Sequence, residues 1–327
     1  MATPYSAINR LGRLVRLFLI SALAVAGGGL WAAESYFVVE AHSGKVLVAH
    51  EATVKKPVAS LTKVATAIVV LDWAEVTRTD LGTPAIVPHS GGLLGGSNPM
   101  GLRPGDRISL RSALYSALLG SDNVAGQTLA HHVGFAMQRQ RGGTGDPVRV
   151  FVQEMNVLAR ALGMKRTKFA NASGMDTAKE RGMSTASDMG RLCIYAMRHP
   201  GFAFFVKQKS RRVSFYHGAD ERAFTVANTN HLLGQMDING IKTGYSGLAG
   251  ECLATSSERK PVVQQLADGR SRMTKRKLIC IVLGSSDRFA RARGLVGGGW
   301  SRYEQWRTAG SIVQDAGKEL MVVPDPR

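Results

Sequence analysis

Pro57-Val-Ala-Ser-Leu-Thr-Lys63 runs directly into Val64-Ala-Thr-Ala-Ile-Val-Val-Leu71. The second stretch is apolar and free of Gly and Pro, which predicts a buried helix from Leu61 to Glu75. With the helix starting there, Ser60 falls in its first turn and Lys63 lies on the same side one turn on. A serine hydroxyl is a weak nucleophile until a neighbouring base takes its proton. A lysine can be that base only where burial or a nearby cation lowers its pKa. An apolar helix start offers burial, and a helix N-terminus favours negative charge near Ser60. A helix cap followed by a surface lysine would give the same pattern, so Ser-x-x-Lys alone decides nothing.

Two further stretches decide it. Ser121-Asp-Asn123 follows the apolar run Ala113 to Leu119, broken by Gly120, and Lys242-Thr-Gly244 follows Ile238-Asn-Gly-Ile241. Ser-x-x-Lys, Ser-Asp-Asn and Lys-Thr-Gly in this order are the signature of the penicillin-binding proteins and class A β-lactamases. The flanks PVASLTKVATAIV, LLGSDNVAGQTLA, FANASGMD and NTNHLLGQMDINGIKTGYSGLAGECL resemble the D-alanyl-D-alanine peptidases among the low-molecular-mass penicillin-binding proteins. The resemblance runs from Phe37 to Gly294.

That resemblance implies roles. Ser60 is the acylating nucleophile and Lys63 its general base. Ser121 shares in proton delivery to the leaving amine, and Asn123 binds the substrate amide. Lys242 and Thr243 line an edge strand, where a cation and a hydroxyl suit a terminal carboxylate. Gly244 admits the substrate backbone. Two backbone N–H groups, of Ser60 and of Ser246 just past Lys-Thr-Gly, hold the oxyanion. No cofactor or metal is implied. The partners implied are peptidoglycan stem peptides and β-lactams.

A class A β-lactamase also needs a glutamate with an asparagine four residues on. Glu154 is followed at that distance by Leu158, Glu180 by Ser184 and Glu221 by Thr225, so the pattern is missing. No His stands in a Gly-x-Ser-x-Gly setting for a Ser-His-Asp triad. On a helix the adjacent His131 and His132 point about 100° apart, a poor metal pair, and His231 reads as structural. A vestigial, penicillin-sensing site is disfavoured by the complete motif set. The bond cut stays open: a carboxypeptidase removes a terminal D-alanine, an endopeptidase cuts the D-alanyl cross-link, and both use the same groups.

At 327 residues the chain can bury a large core. Its 44% hydrophobic and 20% charged content is that of a globular protein rather than a disordered one. The formal charge of +18 points to an anionic partner, a membrane or wall surface; no nucleic-acid motif accompanies it. Arg10, Arg13 and Arg16 precede the apolar Leu17 to Ala26 and then small residues, the layout of a secretory signal. Leu17 to Ala33 would also serve as a short uncleaved anchor. Either puts the protein in the periplasm or otherwise outside the cytoplasm. Three Cys, at 193, 252 and 280, are no disulfide scaffold; buried free thiols are expected, with a Cys252–Cys280 bridge as the alternative.

The pattern along the chain predicts a hairpin at Tyr36–Ala41 and Lys45–Ala49, the central helix, and an irregular stretch over 80–107. It predicts helices on either side of Gly120–Asn123, at Val148–Leu162, and at Ser184–Met197 capped by Ser184 or Ser187. Strands follow at Val206–Phe215, Arg222–Val226, Gly250–Thr255 and Leu278–Leu283, with Ser256–Lys277 a long basic hairpin loop and Ala290–Trp306 helical only in parts. Strands, then helices, then strands give an α+β fold: a mainly antiparallel sheet with packed helices, plus a helical lobe over 58–200. The resemblance adds that the active site lies between sheet edge and lobe. The expected division is a signal or anchor at 1–33, a catalytic domain at 34–305 and a short tail at 306–327, without the second β-rich domain and C-terminal membrane helix of many relatives.

Overall fold

The computed structural model describes residues 34–176 and 181–326; the predicted targeting segment lies outside them. Residues Glu34–Arg327 form one compact unit. Its spine is a five-stranded antiparallel sheet ordered β2-β1-β9-β8-β7. The strands are β1 (Ser35–Glu40), β2 (Val46–His50), β7 (Ile238–Ser246), β8 (Gly250–Gln265) and β9 (Ser271–Ser285).

Period-two alternation makes this sheet two-faced. On β9, Ile279, Ile281 and Leu283 join Phe37, Val39 and Cys252 in a core shared with the helical lobe. Leu278, Cys280 and Val282 join Val38, Leu253 and Trp300 in a second core on the other face. Each such side chain, removed from water, contributes about 1.5–3 kcal/mol. The two thiols therefore sit on opposite faces, which excludes the Cys252–Cys280 bridge; all three Cys are free and buried.

The lobe is built around α1 (Thr62–Thr77), buried along its whole first half from Thr62 to Leu71. Packed with it are α2 (Leu110–Leu119), α3 (Asn123–Gln140) and α4 (Pro147–Ala161), then α5 (Ala186–Arg198) and α6 (Pro200–Val206). The first of the later strands, β5 (Ser210–His217) and β6 (Asp220–Ala227), do not join the main sheet. They pair with β3 (Pro84–Ile86) and β4 (Arg107–Ser109) in a second, four-stranded sheet, so the stretch read as irregular supplies two short strands. β7 is left as an open edge facing the lobe.

Four boundaries differ from expectation. Thr185, not Ser184 or Ser187, caps α5, accepting from the Asp188 N–H; Ser184 is occupied, its hydroxyl bonded to Thr167 and its backbone to Lys56. Residues 200–206 form α6 before the strands begin. The basic stretch 256–277 is no loop: β8 and β9 continue through it, with Gln265 opposite Ser271. The long helix after the sheet, α7 (Arg288–Thr308), is continuous although it holds Gly294 and Gly297–Gly299. Gly299 is needed there, because a Cβ would come within 2.9 Å of Val38 Cγ1 on the sheet. After Thr308 the chain returns to the sheet edge, where the Met321 N–H bonds to the Gly44 carbonyl.

Candidate active site

A single 3-10 turn, Ala59–Leu61, carries Ser60 into the first turn of α1. Ala59 has a positive φ of 45°, a sparsely populated conformation that persists only where the surroundings impose it. Two close approaches do so here. At Gly174 (φ +79°) a Cβ would lie 1.9 Å from the Ala59 carbonyl oxygen, and at Gly244 one would lie 3.2 Å from Ser60 N. The nucleophile turn is thus clamped between the 171–174 turn and the β7 edge.

Lys63 is fully buried. Its Nζ donates to Ser60 Oγ at 2.9 Å, to Asn123 Oδ1 at 2.7 Å and to the Ser173 carbonyl at 2.7 Å. Burial pushes its pKa down to about 7, with the Asp122 charge opposing. All three partners accept from the amine, so they hold it on Ser60 without supplying a second full charge. Burial thus favours release of one of its protons, and the amine is held against the hydroxyl it would deprotonate.

Ser121 stands at the junction of α2 and α3 with φ +62°. Asp122 is buried, caps α3 by accepting from the Ala125 N–H, and accepts from Ser116 Oγ at 2.8 Å; burial raises its pKa. Asn123 is fixed at both ends of its amide, its Nδ2 donating to the Gly95 carbonyl at 2.9 Å while its Oδ1 receives Lys63.

On β7, Lys242 is buried and its Nζ donates to the Thr243 carbonyl at 2.9 Å. Its pKa is held well below the lysine range by burial, then by Lys63 and Arg288. The Thr243 and Thr229 hydroxyls are 2.6 Å apart. The Ser246 hydroxyl donates to Asp176, at 3.3 Å, and accepts from the Ala249 N–H.

Ser60, Ser121, Asn123, Thr243, Gly244 and Ser246 line one cavity of about 430 Å³. Lys63 and Lys242 lie just behind its wall. The sequence-predicted residues thus converge on one site.

Sequence reasoning missed four others. Ser173 supplies the carbonyl that holds Lys63, and Asp176 and Thr229 line the cavity; they stand in the quoted FANASGMD and NTNHLL stretches without an assigned role. Arg288 carried no signal at all. It lines the cavity from the start of α7, donates Nη1 to the Gly244 carbonyl at 2.8 Å, and has a buried Nε with no acceptor among the described residues. Among the described residues, no cluster of His, Cys, Asp or Glu is placed to hold a metal ion.

The profile of the peptidase S11 family, described as D-alanyl-D-alanine carboxypeptidase, matches residues 26–265. A D-alanyl-D-alanine endopeptidase of Pseudomonas aeruginosa is 32% identical over 282 residues, covering 81% of this chain and 84% of that protein. One of Escherichia coli is 29% identical, covering 74% and 73%. Ampicillin-bound penicillin-binding protein D2 of Listeria monocytogenes superposes with a TM-score of 0.65 at 25% identity, over 81% of this chain and 96% of that one. The chain belongs to the peptidase S11 family of serine D-alanyl-D-alanine peptidases.

Proposed function

We propose that Ser60 attacks the carbonyl between the two terminal D-alanines of a peptidoglycan stem peptide, acting as a D-alanyl-D-alanine carboxypeptidase outside the cytoplasm. The observation that carries this reading is the Lys63 amine, buried and 2.9 Å from Ser60 Oγ with its pKa lowered to about 7. Lys63 takes the hydroxyl proton as the Oγ–C bond forms. The oxyanion is met by the N–H of Ser60 and one from the end of β7 at Tyr245–Ser246. As the C–N bond breaks, the proton on Lys63 passes through the Ser121 hydroxyl, which gives up one proton and takes another, to the departing amine, leaving a Ser60 ester that water hydrolyses. Asn123 holds both Lys63 and the substrate amide. The substrate carboxylate meets Thr243 and the positive field of Lys242 and of Arg288, which lines the cavity. The strained amide of a β-lactam enters the same site. The basic, apolar N-terminal segment supports export.

Endopeptidase action is the second reading. It is favoured by the names of the Pseudomonas aeruginosa and Escherichia coli relatives, most of whose length this chain spans. Digestion of pentapeptide-rich and of cross-linked muropeptides, with the products separated, tests both. Free D-alanine from pentapeptide supports the first, and monomers released from dimers without free D-alanine would replace it with the second.

A further inference from the structure

Beyond the sheet proper, β8 and β9 run on as a two-stranded ribbon through residues 258–277, which hold seven Lys and Arg against two acidic residues. Gly250 begins β8 opposite Ser246 at the catalytic cavity, and Gln265 ends it fifteen residues on. The cavity extends along β7 to Thr243, opposite Leu253, so at the rise of a strand the ribbon tip lies roughly 40 Å from it. The ribbon is therefore no part of the catalytic wall.

Its charges fall into two sets. Arg259 pairs with Asp237, Arg270 with Asp268, Arg276 with Glu304 and Lys277 with Glu258. Lys260, Arg272 and Lys275 are exposed and, among the described residues, have no carboxylate partner. At the ribbon root a cavity of about 460 Å³ opens toward the end of α5, where Arg198 joins Lys275 and Lys277 across walls of Met197, Pro261 and Met273. At the groove Lys275 is the cation without a carboxylate partner among the described residues, while Lys277 is paired with Glu258, which also lines the groove, and Arg198 donates to the Val323 carbonyl. Self-repulsion among Lys260, Arg272 and Lys275 is met by no carboxylate among the described residues, and a string of carboxylates would relieve it.

We propose that this ribbon and groove form a second binding surface for a polymer bearing repeated carboxylates, namely the acidic peptidoglycan strand on which Ser60 acts; the identity of the strand rests on the function proposed above. A lipid surface fits less well. The exposed apolar side chains, Val263 and Met273, form one cross-strand pair in mid-ribbon. The turn that would have to enter a bilayer is Ala267-Asp268-Gly269, with its carboxylate tied to Arg270. The surface would hold the polymer while the distant cavity works along it, acting on binding to the strand and not on the chemistry.

The test is the full chain carrying Lys260→Glu, Arg272→Glu and Lys275→Glu together. Wild-type protein should be retained on purified sacculi in a salt-dependent way, and less on sacculi whose carboxylates have been amidated. The variant should lose retention at least tenfold and show a raised KM on sacculi. Penicillin acylation and cleavage of a soluble D-alanyl-D-alanine peptide should stay within twofold of wild type, which also reports an intact fold. Equal retention of variant and wild type would overturn the proposal, as would undiminished binding to amidated sacculi, or binding to phosphatidylglycerol vesicles in place of sacculi. Should wild-type protein cleave no D-alanyl bond while the variant still loses retention, the docking surface stands and the proposed activity falls.

Discussion

Lys63 Nζ donates to the Asn123 side-chain oxygen at 2.7 Å and to Ser60 Oγ at 2.9 Å. One buried amine thus joins the first turn of α1 to the first residue of α3. The nucleophile, its base and the second motif are therefore set by a single side chain, and changes to any of them should be felt by the others.

Lys63→Arg should be nearly inactive although the positive charge is kept. A guanidinium does not give up its proton in a protein, and a positioned base is worth about 10²–10⁴-fold. Acylation by a fluorescent penicillin, measured on protein shown to be folded by circular dichroism, should fall at least a hundredfold. Retention of a tenth of the wild-type rate would point to a different base.

The acylation rate should rise with pH through about 7. Lys63 is protonated below its lowered pKa and free to accept a proton above it, so each pH unit on the acid side should cost about tenfold. Lys242 is also held below the lysine range by burial. Loss of its charge should bend the profile down again at a pH under the ordinary lysine value, and the two limbs belong to a coupled pair of amines. Stopped-flow acylation over pH 5–10 reads this directly. A flat profile below pH 7 would remove Lys63 from the base role.

Arg288→Ala should weaken substrate capture more than chemistry. The guanidinium lines the cavity and donates to the Gly244 carbonyl, which fixes its charge at the mouth where the carboxylate would sit. Hydrogen bonds to charged groups are worth about 1.5–3 kcal/mol, so kcat/KM on a D-alanyl-D-alanine peptide should drop about tenfold to a hundredfold, carried by KM. An unchanged KM would place the carboxylate elsewhere.

Penicillin should leave a long-lived ester. Its leaving amine stays tethered, and among the described residues no glutamate lines the cavity to position water; the carboxylate that lines it there is Asp176, engaged with Ser246 at 3.3 Å. The adduct should persist for minutes in time-resolved mass spectrometry. Turnover of many equivalents per second would reveal a deacylating base, with Asp176 the first to substitute.

The site was legible in the sequence to the extent that it is written in contiguous motifs. Ser60 and Lys63 share a helix turn, Ser121 and Asn123 bracket a helix start, and Lys242 to Gly244 lie on one strand, so each motif is local, and the family resemblance carried by the three in order gave their joint role. Arg288 is different: it reaches the cavity because β9 returns to the mouth beside β8, a tertiary fact with no local pattern. The ribbon was misread for a related reason. Both of its faces are largely polar, so the alternation that marks a half-buried strand is absent, and cross-strand pairing beyond the sheet is what keeps it extended. In α7 the glycines lowered the helix reading, while the sheet surface at Val38 required one of them. Tertiary packing overrode propensity there.

The central claim is that Ser60 is acylated. Intact-protein mass spectrometry after mixing with excess benzylpenicillin should show one added penicillin mass, and peptide mapping should put it on the peptide containing Ser60. Ser60→Ala, folded by circular dichroism, should show none. A folded Ser60→Ala protein that still takes up one penicillin would contradict the account.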